Sequence, residues 1–400
     1  MKILFLSTWF PWPTDNGSKI RVYHLLRALG ARHQIELLSF AFDTARPTEA
    51  QPLREFCAEV QAIDLNPFKR DDVSAPARFL SPDPIVTRPL TAMTAAVQRR
   101  LDSTHYDAVI ASIEVAATYA FQAPRTTVKI LEEHNSLSRW MWERYRAQTG
   151  ALQRLRCWLS WRKTARYESR LFRQFDLCTM VSEQDRLASL QMLPHYHGPV
   201  EVISNGVDCD RNRPASQPID PMRLVFSGAL TYQANHDAVK YFLEEIYPLI
   251  HKAQPEATLS ITGSTAGVNL GGLLSSDGVT FTGFVDDIRP IVGGSAVCIV
   301  PILEGGGTRL KILEAMALGT PVVSTTKGAE GIEARHGEHL LLADDAVSFA
   351  ECTVSVMRDP ELRRRLASNA RRLVEERYDW QKIGQRFAGL IEDVVKRQTT

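Results

Sequence analysis

The sequence predicts an α/β fold of two doubly wound, Rossmann-like domains, and three observations carry that reading. Short apolar runs rich in β-branched residues alternate with longer stretches of helical period, the pattern of parallel sheets with crossover helices. The pattern occurs twice, and a polar stretch crowded with Pro214, Pro218 and Pro221 separates the two sets. The chain has 400 residues, 44% hydrophobic and 23% charged, which suits about two domains with ordinary cores.

In the first half, strands are expected at 2–7, 35–40, 108–111, 127–132 and 177–181. The first is the apolar run Ile3-Leu4-Phe5-Leu6, ended by Ser7, Thr8 and Pro11 too early for a secretory signal. A helix is expected at 18–29, and residues 66–92, with Pro67, Pro76, Pro82, Pro84 and Pro89, read as an irregular loop. In the second half, strands are expected at 223–227, 258–262, 279–282, 296–301, 321–325 and 339–343. Three helices then close the chain. The expected division is an N-terminal domain at 1–203, a C-terminal domain at 204–376, and a terminal helix at 377–400 that folds back toward the first domain.

Charge excludes some functions. There are 47 Lys and Arg against 46 Asp and Glu, so bulk nucleic-acid binding is not expected. The balance is uneven along the chain: residues 1–200 carry 26 basic and 20 acidic side chains, residues 201–400 carry 21 and 26. Six cysteines stand scattered with no CxxC pair, which indicates neither a disulfide framework nor a thiolate zinc site and fits a reducing, cytoplasmic compartment. No apolar run approaches the roughly 18 residues a membrane span needs, so any membrane contact is expected to be peripheral.

The most informative segment is Glu304-Gly305-Gly306-Gly307-Thr308-Arg309-Leu310-Lys311-Ile312-Leu313-Glu314. It follows a strand, and its glycines let the backbone approach a ligand before Thr308, expected as the N-cap, opens a helix. Free amides and the positive dipole end at a helix start hold phosphate, and Arg309 and Lys311 add charge there. Thr308, Lys311 and Glu314 drift around one face, opposite Leu310, Leu313 and Ala317. Glu314 is thereby placed to accept hydrogen bonds from ribose hydroxyls. The plainer alternative is a tight turn with solvated charges.

This stretch, with Gly319-Thr320-Pro321-Val322-Val323 after it, resembles the nucleotide-sugar site of the retaining glycosyltransferases of family 4. So do Asn205-Gly206-Val207-Asp208 at the domain junction, Phe226-Ser227-Gly228 with Tyr232 and Asn235, and Phe281-Thr282-Gly283-Phe284-Val285. The opening at 11–21, with Asn16-Gly17, resembles the loop that covers the donor phosphates. The resemblance implies the GT-B arrangement, two Rossmann-like domains facing across a cleft, with the donor on the second and the acceptor on the first. It implies that Glu314 binds the donor ribose and that His134, in Glu132-Glu133-His134-Asn135, stands near the donor sugar. With Arg309 and Lys311 these are the expected catalytic residues. Gly17, Asn16, Gly228, Asn235, Phe284, Val285, Gly305, Gly306, Gly307, Thr308 and Leu310 are the expected donor-binding residues.

The sequence departs from the family in two places. Its first glutamate, eight positions before Glu314, is replaced by Gly306, and the usual Arg and Lys are absent from Gly228-Ala229-Leu230-Thr231-Tyr232. Arg309 and Lys311 are expected to neutralise the diphosphate instead. No metal or other cofactor is expected; Asp208-x-Asp210 mimics a metal motif but belongs to the junction segment. The implied reaction moves a sugar from a UDP- or GDP-sugar to a carbohydrate, lipid-linked or other hydroxyl acceptor, in bacterial polysaccharide or glycolipid assembly. An epimerase or hydrolase of the same architecture, or a binding protein that has lost catalysis, are the competing readings.

Residues 139–173 hold ten basic side chains and two acids, interleaved with Trp140, Trp142, Tyr145, Trp158, Trp161 and Tyr167. One reading is an interfacial helix meeting anionic lipid on the inner face of the plasma membrane. The other is a helix that packs its aromatic stripe on the domain and solvates its charges.

Overall fold

The computed structural model describes residues 1–42, 50–69, 73–74, 77, 81–193, 196, 198–214, 218–271, 273 and 277–399. Pro76 of the expected irregular loop lies outside the described residues. The chain forms two compact units, Met1–Ser204 with Ile383–Thr400, and Asn205–Lys382.

The first unit is built on a seven-stranded sheet in the order β3-β2-β1-β4-β5-β6-β7. The strands are β1 (Lys2–Ser7), β2 (Gln34–Ala41), β3 (Glu59–Asp64), β4 (Ala108–Ser112), β5 (Val128–Glu132), β6 (Leu177–Met180) and β7 (Val200–Val202), all parallel. Ile3 to Leu6 on β1 are fully buried, as a central strand covered on both faces requires. The crossovers contribute α1 (Gly17–Gly30), α2 (Thr91–Ser103), α3 (Ile113–Ala120), α4 (Leu137–Ala147), α5 (Ala151–Phe172) and α6 (Glu183–Met192). Strand β3 was not expected, whereas β7 follows Gly198-Pro199, where the sequence places a strand. β3 lies at an edge, carries Glu59, Gln61 and Asp64 among its apolar residues and is half-exposed, and β7 is only three residues long.

The second unit repeats the winding with six parallel strands in the order β10-β9-β8-β11-β12-β13. These are β8 (Asp220–Ser227), β9 (Thr258–Thr262), β10 (Val279–Gly283), β11 (Ser295–Val300), β12 (Val322–Ser324) and β13 (Leu341–Leu342). Its helices are α7 (Gln233–Tyr241), which runs through a π-helical turn at Phe242–Ile246 into α8 (Tyr247–Ala253), then α9 (Arg289–Gly293), α10 (Leu310–Ala317), α11 (Ala346–Arg358) and α12 (Pro360–Arg377). The last helix, α13 (Trp380–Thr399), belongs to the first unit from Ile383 onward. There Glu392 pairs with Arg32 at 2.8 Å, and Gly384 lies so close to Ala28 that a Cβ at Gly384 would stand 2.2 Å from the Ala28 Cβ.

Both sheets reverse their strand order at one point, between β1 and β4 in the first unit and between β8 and β11 in the second. In doubly wound sheets the carboxyl edge at this switch point is where ligands bind.

Candidate active site

At the switch point of the second unit, β8 ends at Ser227 and runs into Gly228, whose φ of +149° suits glycine alone. A Cβ there would stand 2.7 Å from the Lys311 Nζ and 2.8 Å from the Asn235 Nδ2. Gly263, at the end of β9, approaches the same backbone; its Cβ would meet the Gly228 carbonyl carbon at 2.5 Å. The Asn235 Nδ2 donates to the Ala229 carbonyl at 2.9 Å, and Lys311 donates to the Asn235 Oδ1 at 2.9 Å. The Lys311 ammonium also lies 3.8 Å from the centroid of the Phe226 ring. Gly228, Asn235 and Lys311 thus meet in one recess, and Glu314 stands one turn after Lys311 on α10.

Charge in this recess is tuned by burial. Lys311 and Glu314 are each partly buried, and the protein around them strips most of their hydration. Burial lowers the Lys311 ammonium to about 7, with Arg309 adding to the effect and Glu314 opposing it. Burial also raises the Glu314 carboxyl, and Lys311 opposes that shift. A lysine so destabilised as a cation gains from an anionic partner.

The glycine-rich loop between β11 and α10 turns at Gly305 (φ +106°) and Gly307 (φ +77°). A Cβ on Gly305 would lie 3.2 Å from the Tyr232 hydroxyl. The loop corrects one expectation. The N-cap of α10 is Arg309, not Thr308, because the chain remains extended through Arg309 (φ −82°, ψ 92°) and the helix opens at Leu310. The Thr308 Oγ1 is buried without a hydrogen-bond partner. The Arg309 guanidinium folds back to donate to the carbonyls of Gly305 (2.8 Å), Gly306 (2.6 Å) and Gly307. It ties the loop together, so of the two cations Lys311 is the one presented to the recess. Gly306 forms part of this clamp. On the neighbouring loop after β10, Phe284 is 71% exposed and Val285 partly buried.

The switch point of the first unit is built differently. Glu132, at the end of β5, is fully buried and accepts from the Arg21 Nε at 2.5 Å and the Ser112 Oγ at 2.9 Å. The His134 Nε2 lies 3.1 Å from the Glu132 Oε2 and 3.1 Å from the Ser112 Oγ, while its Nδ1 lies 3.1 Å from the Ser18 Oγ. Burial alone would raise the Glu132 carboxyl, but Arg21 and His134 overcome it and hold the group well below the usual carboxylate range. Asn16 caps α1 by accepting from the Lys19 amide at 3.0 Å, and with Gly17 it sets Ser18 against the histidine. Sequence reasoning had found His134, Asn16 and Gly17 but not Arg21, Ser112 or Ser18. The one available signal for Arg21 is a charged residue among the apolar positions of α1.

Behind this network lies an acid cluster. Burial raises the carboxyls of Glu114 and Glu133, and for Glu133 the neighbouring Glu114, Glu168 and Glu132 add to it. Glu168, on α5, is pushed up to about 7 by burial although the amides of Leu137 and Ser138 donate to it. Ile113, between Ser112 and Glu114, has a φ of +61°, a left-handed conformation strained for a β-branched residue.

Asp208 is a turn residue whose Oδ1 accepts from the Asp210 and Arg211 amides, and Asp210 pairs with Arg213. Among the described residues no cluster of three or more His, Cys, Asp or Glu side chains is set to hold a metal. Among the same residues no helix is long and apolar enough to cross a membrane.

Comparison with known proteins bears on these two sites. Residues 15–211 match the family described as Glycosyltransferase Family 4, and residues 221–359 the one described as Glycosyl transferases group 1. A Klebsiella pneumoniae relative, the uncharacterized 44.6 kDa protein in the cps region, is 22% identical over 96% of this chain and 97% of its own. Among solved structures, sucrose-phosphate synthase from Thermosynechococcus elongatus superposes with a TM-score of 0.73 at 18% identity, covering 99% of this chain and 100% of the other. Anabaena HepE in complex with UDP-glucose gives 0.66 at 18% identity, over 98% and 100%. The chain carries a GT-B glycosyltransferase fold and belongs to the group 1, family 4 glycosyltransferases.

Proposed function

We propose that the protein is a retaining glycosyltransferase whose second unit binds a nucleoside-diphosphate sugar and whose sugar goes to a hydroxyl acceptor in bacterial polysaccharide or glycolipid assembly. The observation that carries this reading is the recess at the β8/β11 switch point, where Lys311, held over Phe226, meets the backbone at Gly228, itself closely approached by Gly263. A diphosphate fits that combination of cation, free amides and close backbone. Glu314 accepts from the ribose hydroxyls, and the exposed Phe284 offers its ring to the base. The presence of UDP-glucose in HepE supports a uridine donor, and GDP-sugars are the other candidates.

The chemistry asked of the protein is positioning and charge neutralisation. Lys311 balances the charge that develops on the leaving diphosphate, which takes up the acceptor proton while departing from the same face. His134, its ring nitrogens held by Glu132, Ser112 and Ser18, contacts the donor sugar. Arg309 keeps the loop closed rather than touching the phosphates. No metal is needed, because Lys311 and the helix start supply the neutralising charge. The acceptor is a carbohydrate, a lipid-linked compound or another hydroxyl compound.

The test is to incubate the protein with UDP- and GDP-hexoses and an acceptor panel, with and without EDTA, and to assign the product's anomeric configuration by NMR. Transfer with the donor's configuration kept, insensitive to EDTA, is the expected result. Free sugar alone, or an epimerised donor, would replace this reading with the hydrolase or epimerase one. Binding without turnover would show a protein that has lost catalysis.

A further inference from the structure

Helices α4 and α5 form a hairpin whose tip is tied by aromatic contacts: the rings of Trp142 and Trp161 lie 4.6 Å apart, those of Trp142 and Tyr145 5.2 Å apart, and Arg154 lies 5.2 Å from the Tyr145 ring. Only the C-terminal half of α5 is anchored, through the buried Thr164, Tyr167, Glu168, Leu171 and Phe172. Its first half is exposed along almost every residue, including Leu152 (73%), Leu155 (53%) and Leu159 (38%).

The helical period sorts the outward side chains. Leu152, Leu155 and Leu159 share one face, and the same face continues as Arg162, Lys163, Arg166 and Arg170. An outward stripe that is leucine at the free end and cationic toward the body is the reverse of a solvated helix, whose exposed face is polar throughout. Trp158 stands at the changeover, 38% exposed, with the Arg162 guanidinium 6.0 Å from its ring. Beside it a cavity of about 350 Å³ is lined by Trp158, Leu159, Arg162, Lys163, Arg166 and Arg170, with Ser81 and Pro82 on its rim. The acid paired with Arg170 is Asp83.

We propose that this hairpin face docks on an anionic phospholipid bilayer, the leucines entering the acyl boundary and a lipid phosphate seated among the cations of the cavity. Charge complementarity selects this occupant: within 139–173 ten basic side chains face two acids, and both acids are already engaged. Glu143 pairs with Arg139, and Glu168 is buried under backbone amides. Interfacial tryptophan between an apolar tip and a cationic shoulder matches the order of layers at a membrane surface. The docking rests on the transferase reading only for its purpose, which is to bring the enzyme to a membrane-borne acceptor.

The full-length protein is co-sedimented with vesicles of phosphatidylcholine alone and with about a quarter phosphatidylglycerol, at low and high salt. Binding to the anionic vesicles that weakens with salt is expected. The combined variant Leu152→Ser, Leu155→Ser, Leu159→Ser should lose most of it. Arg162→Ala, Lys163→Ala, Arg166→Ala should lose about fivefold per cation removed, together with the preference for anionic lipid. Circular dichroism and the thermal shift given by nucleotide sugars are followed on both variants, all of whose changes lie outside the donor and histidine sites, so unfolding is recognised as such. Equal binding to both vesicle types, wild-type binding by the leucine variant, or displacement by inorganic phosphate but not by chloride of equal ionic strength would each overturn the proposal. The last outcome would mean a free-anion site. Vesicle binding that persists without any sugar transfer would count against the transferase reading instead.

Discussion

The two switch points of this molecule have the same topology and opposite construction. In the second unit the loops after the strands are shaped by glycine, and all ten glycines with positive φ among the described residues lie in that unit. Among its described residues the first unit has none, and the positive-φ residue found there is Ile113. One site is therefore backbone and space, with a lysine left short of hydration. The other is packed side chains, with Arg21, Glu132, Ser112, Ser18 and His134 filling the corresponding edge. A doubly wound sheet fixes where a ligand edge lies, and the residues after its strands decide whether that edge cradles an anion or immobilises a histidine.

The difference can be broken from either side. The largest effect is expected from Arg21→Met, which takes from the buried Glu132 its arginine partner and should cost about 3–5 kcal/mol of stability, read by denaturant unfolding. Arg21→Met with Glu132→Leu should recover much of that loss, because an apolar pair removes the stranded charge.

On the other side, Lys311→Met removes a desolvated ammonium and keeps an unbranched side chain of similar length over Phe226. It should lower kcat/KM about 10²- to 10³-fold, the size of effect seen when one donor to a developing oxyanion is lost. A loss below about threefold would mean that the recess does not hold the diphosphate.

A third expectation concerns pH. The Lys311 ammonium titrates at about 7 in the free protein, and a bound diphosphate favours its charged form, so binding takes up a proton. Affinity for a nucleotide sugar, whose diphosphate has no ionisation in this range, should be greatest below pH 7 and fall up to about tenfold per unit above it. Lys311→Met should flatten the profile, measured by calorimetry in buffers of different ionisation enthalpy.

The smallest effect is expected at Ile113→Gly. Relief of the left-handed backbone, about 1–2 kcal/mol, opposes the loss of a partly buried side chain. Equilibrium unfolding should move by less than about 1 kcal/mol, whereas any change in turnover would mean that the strain positions Ser112 and Glu114.

What could be read from the sequence was what is local. The cradle is one contiguous stretch, strand, glycines, helix, and its composition announces it. Even there Thr308 misled, because a good capping residue yields when the next side chain, Arg309, binds three carbonyls and holds the backbone extended. Arg21 and Glu132 are 111 positions apart, and nothing local in α1 says that its arginine points at the end of β5. Strand β3 escaped for a related reason: an edge strand has fewer faces to bury, so its apolar pattern is weak. The charge of 139–173 was plain in the sequence, but that the leucines of α5 share the outward face with its cations depends on which side of the helix packs.

The terminal helix α13 bears on how the chain is made. Because the first unit takes Ile383–Thr400 as well as Met1–Ser204, it cannot be completed as it leaves the ribosome. At roughly 5–20 residues per second, the 178 residues of the other unit take some tens of seconds or less to synthesise. Throughout that interval Ala28 on α1 and Arg32 in the turn after it lack the helix that will pack against them. The nascent first unit is then an unfinished surface in need of protection, and the second unit, uninterrupted in sequence, is the part able to fold first to completion.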